Sequence, residues 1–493
     1  NYADAHNNLG IIFKELGEYQ KAKSCYDKTI KIYPNHVSAY NNLGNIFNQL
    51  GENQNAKSCY EKAIEINPNY ALAHLNLGNT LKTLKDYQKA KSCYEKVIEI
   101  NPNYANAHNN LGIIFKESRE YQKAKSCYEK AIEINPDYAD AHNNLGVILK
   151  ELGENQKAKS FYEKTIAINP NYANAHNNLG IIFKELGEYQ KAKSCYEKAI
   201  EINPDYADAH YNLGNVFVAL GENQKAKSCY EKAIRINPDY TLAYNNLGII
   251  LVALKDYQKA KSCYVKIIRF KPDYADAHNN LGNIYNKLGE NQKAIDCFKK
   301  AIEINPNYAD AHNNLGTIFQ ELGENQKAKS CYEKAIAIKP DYANAHYNLG
   351  NLFIELGEYQ NAKKYYEKVI QINPNHINVH FNLGVIFKAL GEIQKAKECY
   401  DKAIKIYPNH VSAYNNLGIL FKELGYLQKA KISYEKAIEI NPNDTKIYNN
   451  LGNIYKELGE ILKAKDCFIK SIEIDSSIAA PYANLGLVYN ELR

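Results

Sequence analysis

The sequence predicts an all-α solenoid, and three observations carry the prediction. The first is a lattice: of 26 Gly, 15 recur every 34 residues from Gly10 to Gly486, and the other 11 fall on a second register from Gly17 to Gly459. Thirteen of 14 Pro lie on a third register, Pro34 to Pro442, with only Pro481 off it. The second is that each period carries two apolar stripes at helical spacing. The third is that the longest apolar stretch, Leu247–Leu254, falls far short of the ~20 residues that span a bilayer. Self-similarity at a fixed period of this length is the mark of a stacked repeat array.

Numbering each repeat from Ala3 as position 1 divides the chain into fourteen full repeats over residues 1–478 and a fifteenth leading helix, or capping helix, over 479–493. In the unit Ala173–Tyr206, His176, Leu179, Phe183 and Leu186 share one face of a helix until Gly187 breaks it. Ala192, Tyr196, Ile200 and Ile202 share a face of the next, which ends at Asn203-Pro204. One such hairpin cannot bury both stripes, whereas stacked hairpins can. Gly at position 8, Leu at position 7 and Ala at position 20 are the same in every copy, and are read as packing constraints.

Leu-Gly in the first helix, Gly at the turn, Ala then Tyr or Phe in the second helix and Pro at the end resemble the tetratricopeptide repeat over essentially the whole chain. That resemblance implies a right-handed superhelix whose first helices line a concave groove. Position 4 departs from the family's frequent Trp: it is His in ten copies, such as His6, His74 and His108, and Tyr in five. The run HNNLG is similar to the repeats that precede the catalytic region of O-GlcNAc transferases, and no segment resembles the glycosyltransferase portion.

The sequence contains no Met, and its first repeat is as regular as any interior one, which leads us to expect a cut or processed N-terminus. From Asn443 the pattern drifts and Ser476 stands where Pro is expected, so the C-terminal end reads as a cap or a junction.

Composition excludes several function classes. With Lys+Arg 61 against Asp+Glu 55, the charge is too balanced for phosphate-driven nucleic-acid binding. Lys at positions 19 and 21 reads as a solvated face with i,i+4 pairs such as Lys23 with Asp27. Neither a membrane nor a cofactor is expected, and no catalytic constellation stands apart from the repeat. The 13 His occupy positions 4 and 34 only, and the 11 Cys all occupy position 23. Copies one repeat apart lie roughly 10 Å from each other, too far for a shared metal or a disulfide. The thiols are therefore expected to be free, which favours a reducing compartment, cytoplasmic or nuclear.

One feature stands out from the packing pattern. Position 6 is Asn in all fifteen first helices: Asn8, Asn42, Asn76, Asn110, Asn144, Asn178, Asn212, Asn246, Asn280, Asn314, Asn348, Asn382, Asn416, Asn450 and Asn484. Its neighbours at positions 5 and 9 drift, although copying alone would preserve all three alike. Asn is a mediocre helix former, but its carboxamide both donates and accepts and so matches a peptide unit. In O-GlcNAc transferase-like repeats this Asn forms a ladder that holds peptide main chain, and the resemblance implies the same here. An inter-repeat or intrahelical hydrogen bond is the structural alternative for the same amide.

Selectivity is then expected from positions 2, 5, 9 and 12. Position 12 is Lys in eight copies but apolar or amide in the middle of the chain. Tyr211, Val218, Ile249, Val252, Tyr347, Ile354 and Phe381 are therefore the candidates for apolar pockets. Position 5 is never Lys and position 6 never Arg, so the clamp of chaperone-tail-binding relatives is absent. The sequence thus favours a non-enzymatic scaffold that grips extended peptide segments of partner proteins. The alternatives are the substrate-recognition arm of a larger O-GlcNAc transferase-like enzyme, and a structural subunit that self-associates end to end into oligomers or a filament.

Overall fold

The structure is a computed structural model and describes residues 2–492. Its described residues form 29 α-helices, beginning with α1 (Tyr2–Glu15) and α2 (Tyr19–Ile32) and ending with α28 (Ile461–Ile474) and α29 (Ala479–Glu491). They contain no strand. The chain forms two compact units, Asn1–Ile250 and Leu251–Arg493. Within each unit, consecutive helices pack in pairs and each pair packs on the next. First helices also touch first helices of neighbouring pairs. In the first unit these include α1 with α3 (Val37–Gln49), and in the second α27 (Thr445–Glu457) with α29.

The turns have local causes. At position 15 the chain must turn through the left-handed region, and eleven Gly do so with φ between 73° and 79°. Lys85, Arg119 and Lys255 make the same turn at φ 60–63°, where a Cβ is costly. At the other end of the hairpin, position 31 starts an Asx turn: Asn203 Oδ1 accepts from the N–H of Asp205 at 3.2 Å. The three His at position 34 are N-caps, with Nδ1 accepting from Ala39, Val379 and Ala413 at 3.2–3.3 Å.

The core explains the invariant small residues. A Cβ on Gly180 would sit 2.7 Å from Cε1 of Tyr196, a fully buried ring, and the same contact recurs between positions 8 and 24 in the repeats before and after it. Position 20 is buried completely in every copy, so Ala is the largest residue the interface admits. Position 4 closes the joint between repeats, because the His Nε2–H donates to the carbonyl of the preceding repeat's Pro. Examples are His74 to Pro68 at 2.9 Å and His380 to Pro374 at 2.8 Å.

The lysines at positions 19 and 21 do more than form a solvated face. Lys159 and Lys191 approach the ring of Phe183 to 5.1 and 5.4 Å, and Lys363 and Lys395 do the same for Phe387. Lys23, read from the sequence as a partner of Asp27, instead lies 4.8 Å from the Phe47 ring of the next repeat. The i,i+4 pairing does occur elsewhere, as between Lys397 and Asp401 at 2.7 Å. An aromatic face attracts a cation, so the ring at position 11 ties two repeats together.

Candidate functional site

The position-6 asparagines lie half-buried in a row along the first helices, except for Asn8, which is exposed. Nearly all of their amides are engaged across the repeat boundary. Asn42, Asn76, Asn144, Asn178 and Asn212 each donate Nδ2–H to Oδ1 of the position-5 Asn of the preceding repeat, at 2.9–3.2 Å. Asn314, Asn348, Asn450 and Asn484 do the same at 2.9–3.3 Å.

Where position 5 has lost its carboxamide, the acceptor moves. Leu75 offers nothing, and Asn110 donates to Asn79 Oδ1, one turn further along α5 (Ala71–Thr83), at 3.0 Å. Tyr211 replaces Asn in α13 (Ala207–Ala219), and Asn246 donates to Asn215 Oδ1 at 2.9 Å and to the Tyr211 hydroxyl at 3.3 Å. After Tyr347 and Phe381, Asn382 and Asn416 donate to the hydroxyls of Tyr366 and Tyr400 at 3.0 and 3.4 Å. Asn280 bonds Tyr264 even though position 5 of the preceding repeat, Asn245, keeps its carboxamide. The row is thus an inter-repeat hydrogen-bond chain in which most carboxamides donate to a single acceptor across the boundary, and Asn246 to two. An amide has two N–H donors and a carbonyl, and among the described residues no position-6 Oδ1 is a buried atom without a partner.

The Tyr hydroxyls at position 24 lie directly beneath this chain. Tyr60, Tyr94, Tyr230 and Tyr366 donate to Asn45, Asn79, Asn215 and Asn351 at 2.6–2.8 Å. In three of the five repeats where position 9 is Ile, those of Ile11, Ile113 and Ile181, the hydroxyls of Tyr26, Tyr128 and Tyr196 are buried without a partner. Position 9 therefore serves two groups, and Asn stands there in three of the four interior repeats whose position 5 changed. That co-variation was available in the sequence and is the signal its reading missed.

The apolar candidates divide into two groups. The rings of Tyr211, Tyr347 and Phe381 are half-buried, packed 5.9 Å from Tyr230, Tyr366 and Tyr400 and 4.9–5.1 Å from Tyr240, His376 and His410. They fill space between the two helices of their repeats. Ile354 is also half-buried, against the core of its unit. Val218, Ile249 and Val252 are exposed, at 42%, 51% and 36%. Position 12 is partly committed too: Lys150, Lys388, Lys422 and Lys456 pair with Glu185, Glu423, Glu457 and Glu491 of the next repeats at 2.8–3.0 Å.

A hollow on the first-helix face does occur, but nearer the C-terminal end. It measures about 300 Å³ and lies among α25 (Val411–Glu423), α27 and α29. Asn415, Asn449 and Asn450 supply carboxamides to it, and Ile419, Ile478 and Pro481 supply apolar walls.

Other chemistry is muted. None of the eleven cysteines forms a disulfide. Burial pushes Cys59, Cys93 and Cys127 up to about 11, so they are protonated at neutral pH. Among the described residues no group of three or more His, Cys, Asp or Glu is placed to hold a metal ion, and no helix is long and apolar enough to cross a membrane.

Comparison with known proteins accounts for the repeat. Tetratricopeptide repeat models match residues 3–36, 37–70, 207–240, 343–376 and 377–410, 69–137 and 103–171, 161–194, 229–262 and 433–466, and 411–444. A TPR repeat model matches 180–221, 248–289, 282–323 and 316–357. No curated protein sequence matches the chain. Among solved structures, the APC/C hetero-tetramer Cut9–Hcn1 is 16% identical over 99% of this chain and 96% of that one, with a TM-score of 0.40. YrrB, described as a TPR protein with an unusual peptide-binding site, is 29% identical over 37% of this chain and 95% of its own, with a TM-score of 0.31. PilF of Pseudomonas aeruginosa is 22% identical over 42% and 94%, with a TM-score of 0.39. Likenesses of that degree carry nothing about function, but the matched repeats run through almost the entire sequence, and the chain belongs to the tetratricopeptide repeat family.

Proposed function

We propose that this chain is a non-enzymatic scaffold that grips an extended segment of a partner protein along the face bearing the asparagine row. The observation that supports it most is the hollow at Asn415, Asn449 and Asn450. There, carboxamides able to pair with a peptide unit stand beside apolar walls of Ile419, Ile478 and Pro481. Main chain needs the first and one side chain the second. An extended peptide advances ~3.4 Å per residue, so a row spaced by roughly 10 Å meets about every third residue and reads backbone more than sequence. The inter-repeat hydrogen bonds favour this role, because each fixes the orientation of a carboxamide before a peptide arrives, and preorganisation lowers the cost of binding.

The test is selection of peptides from a display library on the full chain, followed by hydrogen–deuterium exchange with the selected peptide bound. Protection at α25, α27 and α29, lost in Ile419→Arg, is expected. Protection confined to the second helices, or binding indifferent to Ile419→Arg, would overturn the reading.

A further inference from the structure

Another hollow lies away from the asparagine row, and its charge pattern departs from that of most other repeats. Position 26, near the end of the second helix, is Lys in all fourteen full repeats. In seven of them position 29 is Glu, and Lys62 with Glu65, Lys96 with Glu99, Lys130 with Glu133 and Lys198 with Glu201 pair at 2.7–2.9 Å. Where position 29 is Gln371, an Asp at position 33 of the preceding repeat substitutes, and Lys368 meets Asp341 at 3.7 Å. On α24 (Ile393–Ile406) both compensations are missing. Position 29 is Lys405, and the residue at position 33 of the preceding repeat is Asn375.

Those residues surround a hollow of about 580 Å³, whose lining is Lys402, Lys405, His380, Asn375 and the apolar Ile370, Pro374 and Ile406. No carboxylate lines it. The equivalent hollow at Lys232 and Arg235 measures about 250 Å³ and carries Asp205 in its wall. His380 is fixed by its hydrogen bond to the Pro374 carbonyl, so the rear wall is held in place. Two cations on one helical turn without an acid between them repel each other, and an anion placed between them relieves that repulsion. The volume falls in the range of small-molecule sites, and the Ile and Pro walls add an apolar surface that a bare ion would leave uncovered.

We infer that the hollow between α22 (Tyr359–Ile372) and α24 binds a small organic oxyanion, a phosphate ester or carboxylate on an apolar body, held by Lys402 and Lys405. This site is separate from the asparagine row and does not depend on the peptide-binding reading.

The test is calorimetric titration of the full chain with phenyl phosphate, with inorganic phosphate and phenol as the single-feature controls. Phenyl phosphate is expected to bind more tightly than either control. Lys405→Glu recreates the Lys–Glu pair found in neighbouring repeats, so it folds, and it should weaken phenyl phosphate binding by about tenfold or more, the worth of a charged hydrogen bond. Glu133→Lys converts a repeat that already has His108, Asn103 and Lys130 at the matching positions, and should raise the stoichiometry by one. Unchanged affinity in Lys405→Glu, or binding of phenol as tight as that of phenyl phosphate, would overturn the assignment. So would an unchanged stoichiometry in Glu133→Lys.

Discussion

Asn110 donates its amide N–H to Asn79 at 3.0 Å, and the Tyr94 hydroxyl donates to the same Asn79 oxygen at 2.8 Å. One carboxamide thus satisfies two groups from different helices, in the repeat where Leu75 has removed the usual acceptor. Asn79→Ile should therefore cost about 1–3 kcal/mol, because it leaves both donors unpaired. Ile181→Asn should do the reverse by giving the buried Tyr196 hydroxyl an acceptor, and leave stability equal or about 1 kcal/mol higher. Chemical denaturation of both variants checks the pair.

The two glycine registers should respond differently to Ala. Gly180→Ala drives a methyl into the Tyr196 ring and should cost about 1–3 kcal/mol through overpacking. Gly187→Ala meets nothing within 4 Å, and its cost, about 1–2 kcal/mol, is that of a Cβ at φ +74°. Arg119→Gly removes that same strain at φ 60° and should raise the melting temperature.

Burial raises the thiols of Cys59, Cys93 and Cys127 from 9.0 to about 11, and the Tyr26 phenol from 10.0 to about 12. In each case the folded state holds its proton more tightly than the unfolded state. The resulting stability is fully present below pH 9 and is lost as pH rises through about 11 and then 12. The melting temperature should fall steeply across that window, and iodoacetamide at pH 8 should modify these thiols slowly until the chain is denatured.

The lysine–ring clamp predicts a coupling. A double-mutant cycle on Lys159→Ala and Phe183→Leu should return about 0.5–1 kcal/mol, the worth of an exposed cation–π contact, and the value should persist in salt better than that of a surface ion pair. Additive single effects would mean the proximity contributes nothing.

Much of the fold is legible in the sequence because Gly and Pro act locally: a left-handed turn needs Gly187, and a helix must stop before Pro204. Gly180 is legible as a close contact for the same reason, since only a missing side chain recurs so strictly. The asparagine row was visible as invariance, but its hydrogen bonds were not. Each acceptor lies 31 or 35 residues away, or on a Tyr of the other helix, and it shifts from position 5 to position 9 or 24 as neighbours change. The half-burial of Tyr211 was not legible, because it depends on Tyr240 at the far end of its own repeat, a distance that periodicity does not measure. Lys23 read as paired with Asp27 because i,i+4 spacing is local, whereas the Phe47 ring that holds it belongs to the next repeat.

The most direct test of the central claim is the affinity of a display-selected peptide for the full chain carrying Asn178→Ala, Asn212→Ala and Asn246→Ala together. All three lie in the first compact unit; Asn178 and Asn212 each lose one inter-repeat hydrogen bond and Asn246 loses two. If the row holds peptide main chain, affinity should fall by about tenfold or more, while stability drops only by the few kcal/mol that these bonds supply. An unchanged affinity in a destabilised chain would contradict the account, and would leave the asparagine row a purely structural bond between repeats.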